Sequence, residues 1–415
     1  MFPIEQLSYL LLRGTIMVLF EPMFWLILAL VGYQYWQLQR NQIKMFGVSG
    51  YTLRRQIILA AVYGLGGGLF GSFLLTVMGL TVNQLGLSYI WPLAIALMMI
   101  HMRFMCFAYA GGIVALSSVL FGWPVVNVPQ VIALVATLHI TESILIFVSG
   151  RYSAVPLIIR KDDGRVVGAF SLQNYWPLPL VLLGAVLLPE TALPEGGVIH
   201  MPDWWPLLPL TLEATEGNRW LYTMIPVVAA LGYSDIAITS SPQERRRQSA
   251  FHLFLYSLTL LALALLSVRY PWLQAVAAAA SPLGHELLIQ RDNQKEFGGQ
   301  PRYVPPAEGV MILDTVVGSP ARKAGLKPGD IILSLSGFSV NSGYDLAEAL
   351  LYASGEFTIR IKREQRTRDV QVRFRSGERQ LGVILVPTGY EEQYVVMAAE
   401  KLWLWEWLKR KLRRF

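Results

Sequence analysis

Apolar residues in this chain gather into long, nearly unbroken runs up to about residue 270, then switch to short alternating runs from residue 308 onward. Runs of roughly 17–25 apolar residues are long enough to cross a bilayer as helices, and the pattern predicts about eight. They lie near 22–39, 56–80, 88–104, 105–121, 129–149, 176–189, 220–239 and 249–268. Between the fifth and sixth, Asp163-Gly164 stands between two β-prone runs over 155–170, which predicts a hairpin. An isolated hairpin is marginal in water, so this one needs a surface to pack on, either the C-terminal soluble part or another protein.

The C-terminal part reads as a small α+β domain. Ser319 is placed to cap a short helix with Pro320 at its first position, and Gly325 to end it in the left-handed conformation. Pro328-Gly329 fits the centre of a type II turn ahead of a strand over 331–335. A helix follows at about 343–354, where Ser342 and Asp345 match a capping box and Leu346, Leu350 and Leu351 give an apolar face. Alternating strands read over 357–361 and 369–374. The ordered set of strand, short helix, Gly325-Leu326-Lys327-Pro328-Gly329-Asp330, strand, helix and two strands resembles the PDZ domain in its bacterial, circularly permuted form.

That resemblance implies a groove in which an extended peptide adds as a strand, its terminal carboxylate held by backbone N–H groups of an apolar-Gly-apolar loop. Pro305 and Pro306 remove donors from the stretch before the first strand, so the loop is assigned to Leu381, Gly382, Val383 and Ile384. The C-terminal strand then closes the domain, opposite the helix bearing Leu346 and Leu350.

Composition fits a membrane protein: 54% of the 415 residues are hydrophobic and 15% charged. No removable signal peptide is expected, because the N-terminus lacks a basic start and a small-residue cleavage site. Basic residues cluster at Arg40, Lys44, Arg54 and Arg55, at Arg151, Arg160, Lys161 and Arg165, and at Arg245 to Arg247, which predicts three cytoplasmic loops. Residues 190–217 are acidic and carry Trp204 and Trp205, as an outside loop at the interface does. Eight spans would leave the PDZ-like domain outside, yet its basic tail suits the cytoplasmic leaflet. A turn-back near 272–280, or a wrong span such as 176–189, restores a cytoplasmic domain. The net charge of +7 is mostly this topology signal, and no basic patch is interleaved with aromatics in a soluble domain, so nucleic acid is not an expected partner.

Candidate chemistry is sparse, and neither catalytic residues, a metal site nor a cofactor is expected. His285-Glu286 starts the HExxH zinc motif, but Ile289 stands where the second ligand belongs. Gly47, Ser49 and Gly50 resemble the Gly-x-Ser-Gly of intramembrane serine proteases, in a basic loop where a turn is the better reading. His139 and Glu142 share a face of the fifth span, as a buried structural pair or part of an ion path. Gly64 to Gly71 contains GxGxxG with no strand before it, so close helix packing through Gly64, Gly67, Gly68 and Gly71 is expected. The single cysteine, Cys106, forms no internal disulfide.

The tail joins Trp403, Trp405 and Trp407 to a cationic end including Lys409 and Arg410, the pattern of an amphipathic helix in the headgroup region of anionic lipid or docked on a partner. The expected divisions are thus 1–290, an α-helical polytopic membrane bundle; 291–388, the PDZ domain; and 389–415, the tail. With Gly168 to Pro179, Leu231 to Asp235, Ser241 to Glu244 and Ser281 to Glu286, this architecture resembles the MinJ family of division-site membrane proteins from Gram-positive bacteria. The resemblance implies a non-enzymatic scaffold that links a curvature-sensing coiled-coil protein at poles and septa to the Min inhibitor of division. A transporter-like or regulatory membrane protein, with a ligand-sensing PDZ domain and related to PDZ-containing membrane proteases without their activity, is the other class.

Overall fold

The computed structural model describes residues 2–396 apart from 49, 151–153, 193–197, 212–213, 376, 390 and 392–393. Six helices come first: α1 (Ile4–Val18), α2 (Pro22–Phe46), α3 (Leu53–Met78), α4 (Leu87–Ile100), α5 (Phe107–Phe121) and α6 (Val128–Ser149). Strands β1 (Ala154–Arg160), β2 (Val166–Pro189) and β3 (Asn218–Ala237) follow, then helices α7 (Pro242–Arg269) and α8 (Leu273–Gly298). The C-terminal unit contains β4 (Val310–Thr315), α9 (Pro320–Lys323), β5 (Ile331–Leu335), β6 (Phe338–Ser339), α10 (Gly343–Tyr352), β7 (Glu356–Arg363), β8 (Arg366–Arg373) and β9 (Val383–Leu385). A two-residue strand, β10 (Val395–Val396), comes last.

Among the described residues, α3, α6 and α7 are long and apolar enough to cross a membrane, and α1 with α2, bent by 69°, makes a fourth candidate. Helix α6 is central and buried along almost its whole length. Helices α4 and α5 are apolar but shorter. The expected spans at 176–189 and 220–239 are not helices. They are β2 and β3, paired antiparallel from Phe170 opposite Ala237 to Pro189 opposite Asn218.

Proline weighs against helix in both runs. Pro177, Pro179 and Pro226 lie inside these runs, and each interior proline costs a helix about 3 kcal/mol and a backbone bond. A strand buried among apolar helices must instead satisfy its free edge. Beyond the stretch paired with β1, the donors on that edge of β2 are removed or answered one by one. Tyr175 N–H donates to the Tyr35 hydroxyl at 3.1 Å, Pro177 and Pro179 have no N–H, and Val181 N–H donates to Ser72 Oγ at 2.8 Å. Ala185 N–H donates to Asn83 Oδ1 at 2.8 Å, and Asn83 Nδ2 returns a bond to the Ala185 carbonyl at 3.0 Å. The glycines of α3 make this possible: a Cβ at Gly64 or Gly68 would strike the carbonyls of Pro177 and Pro179. The close approach expected between helices at these two positions is therefore helix against strand. Gly67 packs on a helix, its Cβ position 2.8 Å from Leu145 Cδ1 on α6.

Two further expectations shift. The boundary at 290/291 falls inside α8, which runs unbroken from Leu273 to Gly298. The basic run at 245–247 is not a solvated loop but the start of α7, with Arg245 and Arg246 buried. Arg245 Nη2 meets Asp235 Oδ1 at 2.7 Å, and Ser249 Oγ donates to the other carboxylate oxygen at 2.6 Å. Ser241 and Glu244 form a reciprocal capping box at the head of the same helix.

In the PDZ unit the sheet runs in the order β8-β7-β5-β4-β9, with β6 beside β5. Ser319 caps α9 by accepting from Arg322 N–H, Gly325 and Gly329 have φ of 82° and 89°, and Ser342 and Asp345 form the capping box of α10. The unit's core joins Ile312, Ile332, Leu335, Leu346, Ile359 and Leu381. A second face packs on the β1–β2 hairpin: Leu313, Ile384 and Val386 share a buried cluster with Phe170 and Tyr303, and Gly168 N–H donates to the Tyr303 carbonyl at 2.9 Å. The PDZ unit is thus the hairpin's packing surface. Beyond it the chain returns to lay β10 parallel to β1.

Candidate functional site

The groove expected of a PDZ domain falls between β9 and α10. Strand β9 pairs antiparallel with β4 and ends the sheet, its other edge without a strand partner among the described residues. Helix α10 starts beside it, since a Cβ on Gly343 would stand 3.4 Å from Leu385 Cδ1. Side chains alternate along the strand. Val383 and Leu385 turn to the PDZ core with Leu346 and Leu350, whereas Ile384 turns to the opposite face and the hairpin cluster. Of the six expected groove residues, Ile384 is therefore the one whose side chain points away.

The loop before β9 has its carbonyls engaged. Ala321 N–H donates to the Leu381 carbonyl at 3.0 Å and Val316 N–H to the Gly382 carbonyl at 2.9 Å. Among the described residues, no backbone acceptor meets the N–H groups of Leu381 or Gly382. Gly382 adopts a φ of 74°, and a Cβ there would collide with Ser319 Cβ, so only glycine fits. Arg322 brings positive charge near: its Nη1 donates at 3.4 Å to the carbonyl of Thr315, which is opposite Val383 in register. The alternative stretch before β4 is committed to other contacts, with the Tyr303 carbonyl on Gly168 and Arg302 N–H on the Ile238 carbonyl at 2.9 Å.

Ionisable groups brace the base of the domain. Asp330, 1% exposed, takes both arms of Arg363 at 2.6 Å, which raises the Arg363 pKa further. Burial pushes the Asp314 carboxyl up to about 6, against the pull of its bond from Thr315 N–H and of nearby Arg322. At the end of α8, burial opposes charge on Glu296 but is outweighed by donors from Ser240 Oγ and the N–H groups of Ile238 and Thr239, which hold its pKa below the usual range.

A second constellation lies among the helices. Cys106, which caps α5, His139 on α6 and His285 on α8 bring their donor atoms together, a set not expected from the failed HExxH spacing. His139 forms no bond with Glu142 among the described residues and turns to Cys106 instead. Glu286 is held by Tyr109 Oη at 2.7 Å, Arg103 at 3.3 Å and Gln290 Nε2 at 2.8 Å. The three donors come from distant positions and fit no local motif, so their only signal in sequence is a polar residue in each of three apolar stretches. Ser49 and the tail residues Trp403, Trp405, Trp407, Lys409 and Arg410 lie outside the described residues.

The PDZ domain family matches residues 285–374, ending before β9. The cell division topological determinant MinJ of Bacillus subtilis (strain 168) is 23% identical over 270 residues, 64% of this chain and 64% of its own. The aligned region thus spans less than two thirds of that relative. The mitochondrial serine protease HTRA2 of Bos taurus is 37% identical over 68 residues, 16% of this chain and 15% of its own, a stretch the size of one module. The chain is thus similar to MinJ over 64% of its length and carries a PDZ domain.

Proposed function

We propose that this chain is a multi-pass membrane adaptor that captures the apolar C-terminus of a partner protein by adding it as a strand to the free edge of β9. The observation that carries this reading is that, among the described residues, the outer edge of β9 has no strand partner and the amides of Leu381 and Gly382 meet no backbone acceptor. Strand addition supplies backbone bonds, and the apolar floor made by Val383, Leu385, Leu346 and Leu350 selects the peptide's side chains. The likeness to a division topological determinant supports partners at the division site, with the chain at septum and poles and its PDZ domain in the cytoplasm. The basic, Trp-bearing tail supports contact with anionic lipid on that same side. The reading is non-enzymatic. Ile289 replaces the second HExxH ligand, and the likeness to serine proteases is confined to the PDZ region.

The test is a peptide with a hydrophobic C-terminus titrated into the detergent-solubilised full chain, followed by amide hydrogen exchange. New protection at 381–385 and on α10 is expected, and protection confined to 300–308 would overturn the groove. A fluorescent fusion in dividing cells is expected at septa and poles. Uniform membrane signal would remove the division-site reading while leaving the groove intact.

A further inference from the structure

We propose that Cys106, His139 and His285 form a zinc-binding site that ties together α5, α6 and α8. One ligand atom from each residue lies within 4.8 Å of the others. Cys106 Sγ is 3.2 Å from His139 Nε2 and 3.7 Å from His285 Nε2. Tetrahedral zinc with bonds of about 2.3 Å to sulfur and about 2.05 Å to nitrogen places those atoms about 3.6 Å apart. The donors therefore already stand near coordination spacing, with one position left for water. One thiolate and two imidazoles also match the ligand preference of zinc over hard cations such as magnesium.

The surroundings prepare His139 for this role. His139 Nδ1 lies 2.7 Å from the Val135 carbonyl, which can only accept, so that nitrogen carries the proton and Nε2 offers its lone pair toward the cluster. Cys106 sits at the N-terminus of a helix of 15 residues, where its Sγ accepts from Ala108 N–H at 3.4 Å. Nδ1 of His285 is buried and meets no partner among the described residues. The rings of Tyr256 and Tyr109 pack edge-on against His285 at 5.9 Å and 5.2 Å, and Tyr256 also packs against His139 at 5.8 Å. Glu286, next to His285, is occupied by Arg103, Tyr109 and Gln290 and is not a ligand.

Because Cys106 is the chain's single cysteine, thiolate ligation has an unambiguous signature. The full chain, purified in detergent without a metal-chelate column, is expected to carry about one zinc per molecule. After zinc is stripped, Co2+ is expected to produce a thiolate-to-cobalt charge-transfer band and the intense visible bands of a tetrahedral site. Cys106→Ser should lose the charge-transfer band, and His285→Ala should weaken Co2+ binding at least tenfold. Absence of the band in the unaltered chain, or its persistence in Cys106→Ser, would overturn the site. The unaltered chain supplies a readout independent of variant folding: zinc is expected to slow alkylation of Cys106 at least tenfold, reversibly with chelator. An equal rate with and without zinc would mean a trio held by shared protons and would refute the proposal.

Discussion

Replacing Arg363 with Leu isolates the brace under the PDZ turn. Asp330 is 1% exposed and takes Arg363 Nε on one carboxylate oxygen and Nη2 on the other, each at 2.6 Å. Nη2 also donates to the Gly325 carbonyl at 2.8 Å. After the substitution Oδ1 loses its donor, Oδ2 keeps only the Lys327 N–H at 2.8 Å, and a carboxylate charge stays buried. Breaking a buried pair from one side costs about 3–5 kcal/mol. The Arg363 side chain is 21% exposed, so water re-entering its place trims this to roughly 2–3 kcal/mol. Amide exchange of the full chain in detergent is the assay, read on β4 and β5. Protection there should fall by roughly 30- to 150-fold, at about 1.4 kcal/mol per factor of ten, while α6 is unchanged. The double variant Asp330→Asn with Arg363→Leu should recover much of the loss, since it no longer leaves a lone charge. A fall below about threefold in the single variant would refute the view that this pair holds the turn.

The other expectations use separate parts of the molecule. Asp314 is raised to about 6 by burial, so between its ordinary pKa of 3.8 and about 6 the native state binds more protons than the unfolded chain. Stability of the PDZ unit should therefore fall as pH rises through that window, and Asp314→Asn should abolish the slope and add about 2–3 kcal/mol at neutral pH; an unchanged slope in denaturant titrations would count against it. Gly68→Val puts a side chain into the Pro179 carbonyl, and the variant should aggregate or lose its melting transition in detergent, whereas Gly66→Val, with open space at its Cβ position, should not. Serine at Trp403, Trp405 and Trp407 should weaken binding of the full chain's tail to anionic surfaces, read as faster tail proteolysis in anionic nanodiscs. Equal rates in anionic and neutral discs would favour docking on a partner.

Local chemistry was enough to read the PDZ unit from sequence. Ser319, Pro320, Gly325, Gly329, Ser342 and Asp345 each do a job set within a few residues, and all six occupy those positions in the structure. The assignment of the carboxylate loop to Leu381 and Gly382 rests instead on Pro305 and Pro306, which remove donors from the stretch before β4. Ile384 did not follow. Its direction depends on a hairpin some two hundred residues earlier in the chain that covers one face of β9.

In the helical region, apolar length alone misled. A run such as 176–189 is hydrophobic enough for a span whether it is helix or strand, and only its prolines argued against helix. What decides for strand is tertiary: Ser72, Asn83 and Tyr35 arrive from other elements to answer the edge of β2, and Gly64 and Gly68 clear room for it. The buried Arg245 likewise reads in sequence as a cytoplasmic charge, until Asp235 and Ser249 are brought to it. The donor cluster is the extreme case. Cys106, His139 and His285 are 33 and 146 residues apart along the chain, and only the packing of α5, α6 and α8 brings them together.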